Sequence, residues 1–169
     1  MTEMDRVLAA VRQAIKIERF GYDFYNGMRE FVTDVDGQKV VSFLGSLEVD
    51  HIKWLEEEYN RQLGKLEDLR EEMQVNLSLL GKEKIFFQKE ALPELFEDFD
   101  AKAALDFAVS LEKRSIEFYE DNLDISEDEE TRNLFTRLAD FERDHVAILN
   151  KNLKSLKEKG AWVLPKGGK

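Results

Sequence analysis

Two nine-residue stretches, LEVDHIKWL at 47–55 and FERDHVAIL at 141–149, decide the reading of this chain. Each contains Glu-x-x-His: Glu48 with His51, and Glu142 with His145. These are the only two histidines in the sequence. A spacing of three puts the glutamate and the imidazole on one face of a helix, where both can reach one point. The apolar stripe around the first pair reads Val41, Leu44, Glu48, His51, Leu55, and around the second Leu138, Glu142, His145, Leu149. Polar groups therefore occupy positions that a 3.6-residue period assigns to the core.

Working outward, the two stretches are halves of an internal repeat with an offset of 94 residues. Glu18 maps onto Glu112, Phe24 onto Phe118, Tyr25 onto Tyr119, Leu44 onto Leu138, Asp50 onto Asp144 and Leu55 onto Leu149. Each half is a helical hairpin with one glutamate on its first helix and Glu-x-x-His on its second. One Glu-x-x-His is a weak signal, usually a solvated pair. Six residues in register across two halves are not. Four inward carboxylates would each cost several kcal/mol to bury ionised and unpaired. Two divalent cations would neutralise them, with the imidazoles adding no charge. The six residues Glu18, Glu48, His51, Glu112, Glu142 and His145 are therefore the expected ligands of a dimetal site. Carboxylate and imidazole donors suit iron or manganese, and zinc can take such a site during purification.

Tyr25 and Tyr119 lie seven residues after Glu18 and Glu112, nearly two turns along the same faces. Each is expected to hydrogen-bond a ligand carboxylate and orient it; the alternative is a core aromatic satisfied elsewhere. Asp50 and Asp144 are out of phase with the ligands and are expected on the solvated face. Phe20, Phe24, Phe118 and Phe141 are expected to line the core and exclude water.

The helices read as about 3–31, with Thr2 and Asp5 forming a capping box, and about 36–63, closing at Gly64. A third begins after Asp100 as N-cap. A fourth follows Ser126, spaced from Glu129 as a capping box, and ends near Gly160. Val7, Val11, Ala14, Tyr22 and Tyr25 mark the apolar stripe of the first helix. Between the hairpins (about 3–64 and 100–159) lies a connection over about 65–99, partly helical at 67–80, with apolar residues from Ile85 to Phe99. Such a long link suits one crossover between two antiparallel hairpins. In the tail, 160–169, Trp162 and Leu164 are expected to pack locally. The expectation is one all-α domain over 1–169, a four-helix bundle.

Composition narrows the function. A net charge of −11 disfavours nucleic acid, and no stretch is apolar enough to span a bilayer. Absence of cysteine excludes disulfides, thiol chemistry and Cys₄ iron within these residues. The N-terminus lacks the pattern of a secretory signal, so a cytoplasmic location is expected.

The stretches IERFGYDFY (17–25), LEKRSIEFY (111–119), LEVDHIKWL and FERDHVAIL together resemble the rubrerythrin branch of the ferritin-like superfamily, over about residues 3–158. The resemblance implies a ferritin-like bundle with a carboxylate-bridged diiron centre. Glu48 and Glu142 would bridge; Glu18 with His51 and Glu112 with His145 would be terminal. It further implies a non-haem diiron oxidoreductase that reduces hydrogen peroxide or dioxygen, commonly as a homodimer. Rubrerythrins proper carry a rubredoxin-like domain; without cysteine, this chain would need a separate electron donor. They also carry a glutamate three residues after the third-helix ligand, where Ser115 stands here. The symmetric six-residue set is closer to a bacterioferritin-like ferroxidase centre. Ferrous iron oxidation and storage is therefore one alternative activity, and a metal-stabilised structural or partner-binding bundle another.

Overall fold

In the computed structural model, residues 2–64 and 99–166 are described, and they fold as four long α-helices with no strand among them. The helices are α1 (Glu3–Phe31), α2 (Val35–Leu63), α3 (Ala101–Asp121) and α4 (Glu129–Lys159), with a short 3₁₀ turn at Leu123–Ile125. The link over 65–98, with its expected helix at 67–80 and the apolar cluster from Ile85, lies outside the described residues.

Helix boundaries follow local chemistry. At α1 the capping box forms as expected: Thr2 Oγ1 accepts from the Asp5 N–H at 3.1 Å, and the Thr2 N–H donates to Asp5 Oδ2 at 2.8 Å. Asp34 caps α2 and Asp100 caps α3. The start of α4 corrects the sequence reading. Asp128, not Ser126, is the N-cap, its carboxylate accepting from the Glu130 N–H. The Ser126 hydroxyl instead donates to Glu3 on α1 at 2.9 Å, tying the α3–α4 turn to the start of α1. Gly160 ends α4 in the left-handed conformation at φ 66°, whereas Gly64 ends α2 in the right-handed region.

Contacts between the helices fix their directions. Tyr25 on α1 reaches Glu112 on α3, and Tyr119 on α3 reaches Glu18 on α1, so α1 and α3 are antiparallel. Across α2 and α4, His51 stacks on His145 while Trp54 packs on Phe141, again antiparallel. With both hairpins antiparallel, α2 and α3 run the same way, so Leu63 and Ala101 stand at opposite ends of the bundle. This is the ferritin-like four-helix arrangement.

The apolar core is in two blocks. One joins Val7, Val11, Ile15, Leu55, Leu134, Phe135 and Leu138; the other joins Phe24, Met28, Val40, Val41, Leu44, Leu105, Leu149 and Leu153. Fully burying each leucine contributes about 1.5–3 kcal/mol. Tyr22 departs from the expected stripe and is exposed; Gly21 and Phe24 face inward in its place. In the tail, Asn152 exchanges two hydrogen bonds with the backbone of Val163, and Trp162 packs into the second block over Gly37, where a Cβ would stand 2.6 Å from the indole. Leu164 remains exposed.

Candidate metal centre

Between the two apolar blocks lies a polar layer made of Glu18, Glu48, His51, Glu112, Glu142 and His145, none more than 2% exposed. The helix repeat explains the layer. One residue from α1, one from α3 and a three-spaced pair from each of α2 and α4 face the axis at one level. Their donor atoms form two clusters that could each hold a metal ion: Glu18, Glu48, His51 and Glu142 in one, and Glu48, Glu112, Glu142 and His145 in the other. Within each, one atom from every residue lies within 4.8 Å of all the others. Glu48 and Glu142 belong to both.

The two imidazoles stack at 5.3 Å with an interplanar angle of 14°, and both turn Nδ1 toward the carboxylates. His51 Nδ1 stands 2.9 Å from Glu18 Oε2 and 3.0 Å from Glu142 Oε1. His145 Nδ1 stands 2.9 Å from Glu142 Oε2, 3.4 Å from Glu48 Oε1 and 3.6 Å from Glu112 Oε1. His51 Nδ1 and Glu18 Oε2 form a hydrogen bond, but proximity does not satisfy all the others. Glu48 Oε1, both carboxylate oxygens of Glu142 and both ring nitrogens of His145 are buried with no partner in hydrogen-bond geometry. Orphaned buried polar atoms are costly, and here all but His145 Nε2, which lies on the ring edge away from the carboxylates, converge on the two clusters. A pair of cations is what this donor set fits.

Electrostatics describe the same strain without a cation. Burial, reinforced by Glu142, Glu18 and Glu112, pushes Glu48 well above the usual carboxylate range. Burial and Glu142 push Glu112 up to about 7. Burial alone would also raise Glu142, but the imidazoles of His145 and His51 pull it down to about 2. Burial works against charge on His51, yet Glu142, Glu18 and Glu48 raise it to about 12. His145 is raised by the same competition. Lacking metal, the layer collects protons to offset its carboxylates.

Both tyrosines reach the layer, each crossing to the opposite hairpin. The Tyr25 hydroxyl on α1 donates to Glu112 Oε1 on α3, and the Tyr119 hydroxyl on α3 donates to Glu18 Oε1 on α1. Burial, with the nearby carboxylates, holds both phenols well above their ordinary pKa, so they remain donors. Asp50 and Asp144 are exposed, as their phase requires, and Asp50 pairs with Lys53. Phe24 is buried; Phe20, Phe118 and Phe141 are half-buried. Ser115 is buried, its hydroxyl donating to the Leu111 carbonyl at 3.3 Å.

Phe141 was expected as lining, but its partner Trp54 and a glycine of the wall escaped the sequence reading. Trp54 and Phe141 pack on His51 with ring centroids 5.5 Å away, and the Arg137 guanidinium lies 5.1 Å over Trp54. The repeat could have flagged this wall as one-sided, since the equivalents of Trp54 and Phe141 are Ile148 and Leu47. The glycine is Gly21, which packs bare backbone against Glu48.

A four-helix bundle with a buried carboxylate–imidazole layer of this kind defines a ferritin-like protein whose layer is compatible with a dimetal site. The chain belongs to the rubrerythrin family, whose model matches residues 9–154. Comparison with curated proteins and with solved structures gives no match. No described helix is long and apolar enough to cross a membrane.

Proposed function

We propose that the six-residue layer holds two iron ions and that the chain is a diiron oxidoreductase reducing hydrogen peroxide or dioxygen. One observation carries the reading: two ligand clusters that share Glu48 and Glu142, with orphaned donor atoms converging on both. Glu18 with His51 would complete one ion's ligands, Glu112 with His145 the other's. A ferrous pair held there supplies two electrons on oxidation, the number needed to reduce hydrogen peroxide to two waters.

The chain's own part is positional. Four carboxylates match the charge of two divalent cations in a layer that excludes water. Tyr25 and Tyr119 each hold one oxygen of Glu112 and Glu18, limiting how each carboxylate can turn. The apolar blocks above and below seal the layer. Electrons would return from a separate donor, and the working form would be a homodimer. Manganese is the competing metal.

The test is anaerobic loading with ferrous iron, removal of the excess and metal analysis, followed by single turnover with peroxide and with dioxygen. Two irons per chain, oxidised by either, is the expected result. Substantially fewer than two, or no oxidation, defeats the reading and favours a bundle that metal only stabilises. A second reading, iron oxidation and storage, is favoured by Ser115. With its hydroxyl turned to Leu111, it adds no carboxylate to a symmetric six-residue set. Light scattering separates them, because storage needs a large closed shell and a dimer disfavours it.

A further inference from the structure

Three glycines inside helices of hairpin one have no need of glycine's backbone freedom, since Gly160 is the only described glycine with positive φ. A glycine within a helix weakens it relative to alanine, so each needs another reason. Gly37 makes room for Trp162. Gly45 and Gly21 sit at the level of the candidate centre. A Cβ on Gly45 would lie 3.3 Å from Tyr25 Cβ, and one on Gly21 would lie 3.2 Å from both Cδ and Oε1 of Glu48. The repeat equivalents are Ala139 and Ser115, which carry Cβ atoms. Close approach at this level is therefore built into α1 and α2 by sequence and is not repeated by sequence in α3 and α4.

We infer that Gly21 is a positioning residue for the centre: its missing side chain is the seat that lets the Glu48 carboxylate lie against α1, where it serves both clusters. Glu48 Oε1, one of the two carboxylate atoms nearest that seat, is also one of the orphaned buried atoms. A methyl group there would stand 3.2 Å from the carboxylate and oblige it to shift away from α1 by a few tenths of an ångström. Under the repeat, Glu142 matches Glu48 and Ser115 matches Gly21, so the sequence provides no equivalent seat for the second shared carboxylate. The inference rests on the reading of Glu48 as a shared ligand.

The experiment is Gly21→Ala in the full chain, with Ser115→Ala as the matched change on α3, titrated anaerobically with cobalt(II) and followed by visible absorption and metal analysis. Circular dichroism melts of the metal-free chains run alongside. Gly21→Ala is expected to fold with a melting temperature no lower than the unsubstituted chain, because alanine favours the helix. It is expected to bind the two ions at least about tenfold more weakly, with altered absorption bands. Ser115→Ala is expected to keep two-ion binding. Wild-type affinity and spectrum in Gly21→Ala would overturn the inference. So would a melt that collapses, which would make the glycine a packing residue. If the unsubstituted chain itself takes up no cobalt, the dimetal reading fails first, and that result is distinct from either.

Discussion

The two hairpins repeat one plan with different walls. Each carries a first-helix glutamate and a second-helix Glu-x-x-His, and each sends a tyrosine to the other's first glutamate. Around His51, however, the wall is aromatic, with Trp54 and Phe141. The repeat places aliphatic Ile148 and Leu47 at the matching positions. Hairpin one has Gly21 and Gly45 where hairpin two has Ser115 and Ala139. The inward groups that meet at one level are identical in the two hairpins. The residues behind them have been free to diverge, because packing tolerates different shapes of similar volume.

The sharpest way to break the comparison is to remove carboxylates by class. Glu48→Ala or Glu142→Ala should abolish binding of both ions, since each takes an atom from both clusters. Glu18→Ala or Glu112→Ala should leave one. Metal content per chain after ferrous loading is the check; two ions retained in Glu142→Ala would sink the shared role. Next in size, Tyr25→Phe and Tyr119→Phe should each weaken metal binding by about 10–100-fold, the usual effect of removing a partner that orients a ligand. Equal losses would show that the hairpins contribute alike through these hydroxyls. Unequal ones would show that the different walls matter.

What was legible in the sequence follows from how local each cause is. Caps such as Thr2 with Asp5, and Asp100, are set by residues within one turn, and both read correctly. The six polar residues stood out because they interrupt an apolar period twice at the same spacing. At α4 the Ser126 hydroxyl accepts from the Asp128 N–H and donates to Glu3, 123 residues away in the chain, while the Asp128 carboxylate takes a first-turn N–H, that of Glu130. That the tyrosines would cross between hairpins depends on how α1 lies against α3, which no periodicity encodes. Tyr22 was placed inward because an aromatic ring counts as apolar. The true inward residue, Gly21, has no side chain to register in any pattern.

Acidity gives a test of smaller effect. Glu112 is raised from 4.5 to about 7, and Glu48, His51 and His145 are raised as well. A group whose folded pKa is raised binds more protons folded than unfolded, so its contribution declines as pH climbs from the unfolded to the folded value. For Glu112 that window is about 4.5 to 7; for His51 it opens at 6.5 and extends to about 12. Glu142, lowered to about 2, runs the opposite way but only below 4.5. The metal-free chain should therefore melt several degrees lower at pH 8 than at pH 5. Metal binding displaces these protons, so the gain in melting temperature on loading should widen over the same range. A metal-free chain that is steadily more stable toward pH 8 would contradict the proton-filled layer.

The smallest effect on the polar layer is expected at two equivalent places that the hairpins use differently. Glu58 on α2 and Asn152 on α4 match under the repeat. Glu58 accepts from Thr131 Oγ1 at 2.7 Å, from Gln62 at 2.9 Å and from Arg61, clasping α2 to the start of α4. Asn152, fully buried, instead clasps the tail through Val163. Asn152→Ala removes both tail bonds and should cost about 1–3 kcal/mol, lowering the melting temperature by roughly 2–4 °C per kcal/mol. Thr131→Val should cost about 1–2 kcal/mol, since Arg61 and Gln62 still satisfy Glu58. Neither residue touches the polar layer, so iron per chain should stay unchanged in both variants. A loss of iron in Asn152→Ala would mean that the tail, through Trp162 over Gly37, holds α2 in the register that presents Glu48, and the clasp would then belong to the centre rather than to the fold.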